Sequence, residues 1–289
     1  MFVLNYFFND IYKAYFYHMK NSIFENKISA LKYLPNKEIV GKWIAELFEW
    51  IFCINSKYSD YNLFLEKEVE LKNIFFEIIE REYKDKKTAY ETIDSFFNSL
   101  PFIHNLLKDD LETVLKFDPA ARSHDEVLLS YPGFYSIAIH RLVHSLWKLN
   151  VPIIPRLIAE LSHSKTGIDI HPAAIIGERF FIDHGTGVVI GETTEIGNDV
   201  KIYQGVTLGA LSVSKDKVET KRHPTIGNRV IIYANATILG GKTYIGDDSQ
   251  IGGNVWITNS IPPNSLVYHK SEIIIKSNSS FPEPLDYVI

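Results

Sequence analysis

Between residues 167 and 262, aliphatic residues recur every six positions. Ile170, Ile176 and Ile182 set the period, and after a two-residue slip Ile190, Ile196, Ile202 and Leu208 resume it. A break follows, then Ile226 and Ile232, another slip, and Leu239, Ile245, Ile251 and Ile257. Glycine follows most of these residues, and tyrosine follows Ile202 and Ile232. Short fixed periods of this kind mark a solenoid. One aliphatic side chain per six turns inward, and the small residue beside it permits a bend. The spacing therefore predicts a prism of short strands, three to a coil, with coils stacked about 4.8 Å apart.

Ahead of the repeat the pattern changes to a helical one. Ile44, Leu47, Phe48 and Ile51, then Leu71, Ile74, Phe75 and Ile78, fall at helical spacing. Thr88 with Glu91, and Ser123 with Glu126, have the spacing of capping boxes, and Asp118-Pro119 predicts a helix opening. A helix is predicted after Gly133, through Ile137, Ile139, Leu142 and Leu146. Pro152 and Pro155 begin a last one, over 156–163, before Gly167 leads into the repeat. The predicted organisation is an α + β chain with a helical domain over 1–166 and a β-helix of hexapeptide repeats over 167–262. A loop at 210–224 interrupts the β-helix, and a tail over 263–289 follows the double proline Pro262-Pro263. The many aromatic residues before the repeat are read as core and as contacts between copies of the chain.

Composition narrows the classes. Of 289 residues, 46% are hydrophobic and 22% charged, enough for a sizeable core. A net charge of −5 gives no footprint for nucleic acid. The single cysteine, Cys53, excludes an internal disulfide and fits a reducing compartment. Its apolar neighbours predict a buried thiol. The apolar start, residues 1–8, is broken by Asn9, Asp10 and Lys13 well short of the roughly 18 residues a membrane span needs. With no basic leader, the chain is expected to be cytoplasmic and free of the membrane.

Ionisable residues gather in three places around the repeat: Asp169 with His171, Asp183 with His184, and Lys221-Arg222-His223. Asp169 and Asp183 are fourteen apart, less than one coil, and extra residues at 184–188 are read as distorting a strand there. A carboxylate beside an imidazole fixes its tautomer and raises its basicity, the arrangement of a general base. The plainer reading gives His184 and Asp183 only a turn to satisfy; the acids on both sides and the Arg-His pair beyond favour chemistry.

The runs 168–174, 182–193, 204–209 and 222–227, with Asp118-Pro119-Ala120-Ala121 and Gly133-Phe134 upstream, closely resemble serine O-acetyltransferases. The combination of Asp-His-Gly-Thr-Gly at 183–187 with Arg-His-Pro at 222–224 is the specific part. The resemblance covers roughly residues 115 to 268. It implies a left-handed β-helix and transfer of acetyl from acetyl-CoA, a co-substrate, to the hydroxyl of L-serine, with no permanently bound cofactor or metal. His184 is then the general base, since an ordinary imidazole with a pKa of ~6.5 can take a proton that a hydroxyl holds at neutral pH. Asp169 orients it. Asp118 and Asp183 hold the serine ammonium, Arg222 with His223 its carboxylate, and the backbone at Gly209, Ala210, Ala234 and Gly253 the coenzyme. Ala210-Leu211-Ser212 and Val267-Tyr268-His269-Lys270 depart from the family where the coenzyme passes. The resemblance further implies feedback by L-cysteine and a homotrimer or dimer of trimers with sites between subunits. It also implies that a terminal isoleucine, Ile289, inserts into cysteine synthase.

Three other readings stay open on residues alone. An acyltransferase acting on a sugar leaves Arg222 and the paired acids without a purpose. A metal-dependent hydratase of carbon dioxide needs three histidines convergent at a subunit interface, for which His171, His184 and His223 are the candidates. A scaffold that only binds partners has no need of the clustered His, Asp and Arg.

Overall fold

A computed structural model describes residues 17–25, 34–211 and 220–270. The polar run of the 210–224 loop and the tail that ends at Ile289 lie largely or wholly outside the described residues. Six helices follow one another from residue 37: α1 (Lys37–Ile51), α2 (Tyr61–Ile79), α3 (Lys86–Phe117), α4 (His124–Ser130), α5 (Pro132–Lys148) and α6 (Ile154–Thr166). Their apolar faces form one core, in which Trp43 stacks on Phe75 and Trp50 on Phe64. No helix among the described residues is long and apolar enough to cross a membrane.

Several helix ends differ from the expectation. Asp85, not Thr88, caps α3, because its carboxylate already accepts from the Thr88 N–H at 2.9 Å. Ser123 does cap α4, but the Glu126 carboxylate reaches the N–H of Arg122 rather than that of Ser123. Asp118 closes α3 instead of opening a helix, and its carboxylate accepts from the Ala120 N–H in a tight turn. The last helix starts at Ile154 and runs to Thr166, where Gly167 takes the left-handed conformation (φ 72°) and turns the chain into the prism. Cys53 is exposed: α1 ends at Ile51, and the following turn carries the thiol outward.

Among the described residues, fourteen strands of two or three residues follow. β1 (Asp169–Ile170), β4 (Val189–Ile190), β7 (Thr207–Gly209), β10 (Thr237–Leu239) and β13 (Trp256–Ile257) form the first parallel sheet. The second holds β2 (Ile175–Ile176), β5 (Glu195–Ile196), β8 (Thr225–Ile226) and β11 (Tyr244–Ile245). The third holds β3 (Phe181–Ile182), β6 (Lys201–Ile202), β9 (Ile231–Ile232), β12 (Gln250–Ile251) and β14 (Leu266–Val267). The inward residue of each strand fills the interior, and Ile190, Ile202, Leu208, Ile232 and Ile238 are all buried. Each such side chain contributes ~1.5–3 kcal/mol of hydrophobic stabilisation. In β10 the inward residue is Ile238, in register with Leu208, so the second slip falls after Leu239 rather than before it. Pro262-Pro263 does not end the prism either, because β14 pairs with β12 beyond it.

The corner between the second and third sheets is closed by ion pairs. Arg179 donates to Asp199 at 2.7 Å, and two coils further on Arg229 donates to Asp248 at 2.6 Å. The other two corners carry the candidate chemistry.

Candidate active site

Register shows where the first slip falls. β3 and β4 stay intact, so the extra residues lengthen a corner rather than distort a strand. Residues 183–188 form that corner, whereas the corners stacked on it, 203–206, 233–236 and 252–255, hold four residues each. Asp183 and His184 occupy this longer corner. His184 has φ 56°, an uncommon conformation for a residue with a side chain, and its imidazole stands 73% exposed with Nε2 3.8 Å from Asp183 Oδ1.

The helical domain delivers the second carboxylate. A Cβ on Gly133 would lie 2.2 Å from the Ile182 carbonyl oxygen, so only glycine lets the start of α5 rest on the backbone of β3. That contact brings Tyr131, two residues before Gly133, beside the corner. The Tyr131 hydroxyl donates to Asp118 Oδ2 at 2.9 Å, while Asp118 Oδ1 accepts from Ala120 at 2.8 Å. Burial pushes the Tyr131 phenol up to about 12, helped by its bond to Asp118 and by the charges of Asp118, Glu126 and Asp183. Tyr203, stacked on Tyr233 at 5.2 Å, is also raised by burial and then by Asp183, Tyr233 and Asp118. Asp118 and Asp183 thus both act on Tyr131 and Tyr203, so Asp118 lies near the corner that carries Asp183 and His184.

Asp169 points outward from β1 and, among the described residues, makes no hydrogen bond with His184. Its carboxylate approaches Glu160 and His163 instead, with ligating atoms of all three within 4.8 Å of one another. That spacing could admit a cation. Glu160 is also bound to Arg156 at 2.6 Å and to His163 at 3.3 Å, which accounts for the cluster as a surface ion-pair network.

Arg222 and His223 lie on a different corner, between the first and second sheets. Arg222 pairs with Glu192, and its N–H donates to Thr193 Oγ1 at 2.9 Å. His223 Nδ1 accepts from the Thr193 N–H at 3.1 Å, which leaves the ring proton on Nε2. Burial, then the neighbouring Arg222 charge, pushes His223 down to about 4, so it is neutral at physiological pH. His171 stands close enough for its charge to be felt by His223, and burial lowers its own pKa. His184 stays on the other corner of the same chain.

The expected coenzyme residues divide in the same way. Gly209 and Ala210 continue from β7 on the corner of Arg222, and the Gly209 carbonyl accepts from Gly240 at 3.0 Å. Ala234 and Gly253 stack above His184, with the Ala234 carbonyl accepting from Asn254 at 3.0 Å. The cavities of about 480 and 620 Å³ lie elsewhere, lined mainly by helical residues around His140 and Trp50, and contain none of these groups.

Sequence reasoning missed Tyr131, Tyr203, Glu192 and Thr193. Tyr203 and Tyr233 left a signal, since they replace the glycine after the repeat's aliphatic residue. Nothing in the spacing marks Tyr131.

No protein-family model matches the chain. It is 52% identical over 184 residues to a plasmid-encoded serine acetyltransferase of Synechococcus elongatus, covering 62% of this chain and 57% of that relative. It is 50% identical over 171 residues to the serine acetyltransferase of Helicobacter pylori, covering 59% of this chain and 97% of the relative. Among solved structures, serine acetyltransferase isoform 3 of Entamoeba histolytica in complex with cysteine superposes with a TM-score of 0.74 at 35% identity, over 85% of both chains. The Neisseria gonorrhoeae serine acetyltransferase in complex with serine gives 0.57 at 33% identity, over 64% of this chain and 74% of that one.

Proposed function

We infer the function from one premise: this chain belongs to the serine acetyltransferase family. It transfers the acetyl group of acetyl-CoA to the hydroxyl of L-serine, giving O-acetyl-L-serine and coenzyme A for cysteine biosynthesis. The observation that supports a site at the long corner is the exposed His184 beside Asp183, with Asp118, held by Tyr131, brought near the same corner.

In this reading the serine Oγ attacks the thioester carbonyl while His184 takes its proton. The tetrahedral adduct then expels the coenzyme sulfur, and the imidazolium returns the proton to it, so no second acid is needed. Asp118 and Asp183 hold the ammonium group. Arg222 takes the carboxylate in its planar fork, and His223 adds a neutral Nε2–H beside it. Asp169 steadies the imidazolium through a bond that forms in the loaded site, because catalytic hydrogen bonds are looser without substrate. Backbone at Gly209, Ala210, Ala234 and Gly253 lines the coenzyme.

A serine molecule is too small to bridge two corners of one prism. The reading therefore includes a homotrimer, or a pair of trimers, in which the His184 corner of one subunit meets the Arg222 corner of the next. L-Cysteine, which presents the same ammonium and carboxylate, competes with serine. Association with cysteine synthase through Ile289 belongs to the same proposal, and loss of co-purification on deleting that residue tests it.

A coupled assay that follows thiol release from acetyl-CoA in the presence of L-serine tests the reaction. Acetylation of a sugar with none of serine overturns it. Arg222→Ala is expected to raise the serine KM by roughly tenfold or more, the scale of a lost charge-assisted contact, while the acetyl-CoA KM holds. A rise confined to acetyl-CoA assigns Arg222 to the other pocket.

A further inference from the structure

We propose that Tyr131 is a positioning residue for the acceptor's ammonium group, acting by holding the Asp118 carboxylate. The proposal rests on the reading that Asp118 faces that ammonium.

Asp118 stands where a carboxylate is poorly favoured. It caps the C-terminus of α3, a 32-residue helix whose carbonyl end is the negative pole of the macrodipole. A second carboxylate, Asp183, acts on the same phenols from across the corner. Left alone, Asp118 would turn away from both. Two donors prevent this. The Ala120 N–H holds Oδ1 at 2.8 Å, and the Tyr131 hydroxyl holds Oδ2 at 2.9 Å. Only the second comes from outside the Asp118 turn. A phenol donating to a carboxylate makes a charge-assisted bond, stronger than one between neutral groups.

Tyr131 is itself well anchored. Its N–H donates to the Val127 carbonyl, closing the last turn of α4, and Pro132 fixes the backbone that follows. Close packing of Gly133 on β3 sets its distance from Asp183. Two helix ends and one strand therefore converge to orient a single carboxylate. Each oxygen of Asp118 takes one protein donor, and each keeps lone-pair capacity for an ammonium group.

Tyr131→Phe keeps the ring and removes the donor. It is expected to raise the serine KM about tenfold, with kcat within about twofold and the acetyl-CoA KM unchanged. A second readout separates this role from general support of the pocket. 3-Hydroxypropanoate has serine's hydroxyl and carboxylate but no ammonium, so its inhibition constant against serine should be the same in both proteins. Asp118→Asn serves as the control. A raised serine KM in Asp118→Asn with an unchanged one in Tyr131→Phe overturns the proposal and leaves the site assignment standing. No change in either variant removes Asp118 from the site. If 3-hydroxypropanoate weakens in step with serine, Tyr131 supports the whole pocket rather than the ammonium subsite, and the proposal fails.

Discussion

Replacing His184 with alanine is expected to lower turnover by at least about a hundredfold, the usual contribution of a positioned general base. The fold should survive. The imidazole is 73% exposed and its charged neighbour Asp183 stands 3.8 Å away, so little packing is lost. The backbone at 184 has φ 56° already, and alanine tolerates it no better than histidine. His184→Asn makes the cleaner companion, because asparagine visits the left-handed region more readily. Both variants should give the circular dichroism and the assembly mass of the parent. Neither should release coenzyme A thiol at more than a small fraction of its rate. Near-normal turnover in either folded variant would end the assignment of His184 as base. A lower assembly mass along with the lost activity would instead make the corner 183–188 an assembly element.

Much of the prism was legible because one inward aliphatic residue per strand is its main constraint. A register error moves that residue, and the misplacement of Leu239 for Ile238 shows how narrow the margin is when both neighbours are aliphatic. The first slip was visible at Ile182 and Ile190, but its consequence was not. Only the ladder pairing on both sides shows that the extra length falls in a corner and leaves β3 and β4 whole. Asp118-Pro119 illustrates a different ambiguity. An aspartate before proline suits the start of a helix, and it equally suits the turn after one, since both leave a nearby N–H for its carboxylate. Tertiary packing decided in favour of the turn. Cys53 was misread because apolar neighbours signal burial only while the helix continues, and α1 ends two residues earlier. The division of the candidate site between two corners could not be read from the chain at all. The separation of Asp183 from Arg222 in sequence is set by strands and by the 210–224 loop, neither of which names a corner. The resemblance supplied the roles of these residues and assigned none to Tyr131.

Asp110→Ala is expected to destabilise the protein by about 3–5 kcal/mol, the scale for breaking a buried ion pair from one side. Asp110 is fully buried in α3, and it accepts from Arg141 Nε at 2.5 Å, Arg141 Nη2 at 2.9 Å and the Phe180 N–H at 2.9 Å. Arg141, on α5, also donates to the carbonyls of Ile176 and Gly177 at 3.3 and 2.8 Å. Two helices and the first coil of the prism thus share one polar node. Removing the carboxylate leaves a guanidinium buried without its counter-charge and a Phe180 N–H without an acceptor. A double replacement, Asp110→Leu with Arg141→Met, should cost less than the single one, because no charge is stranded. Urea unfolding at fixed protein concentration measures both, the concentration being held because any association between chains adds to stability. A single-variant loss below about 1 kcal/mol would mean that water reaches the node and the pair is not desolvated. The same helix carries the consequence to the site. Asp118 lies eight residues further along α3, about 12 Å at 1.5 Å per residue. A helix no longer fastened at Asp110 holds Asp118 less firmly against Tyr131. The folded fraction of Asp110→Ala should accordingly show a raised serine KM, while the acetyl-CoA KM stays near that of the parent.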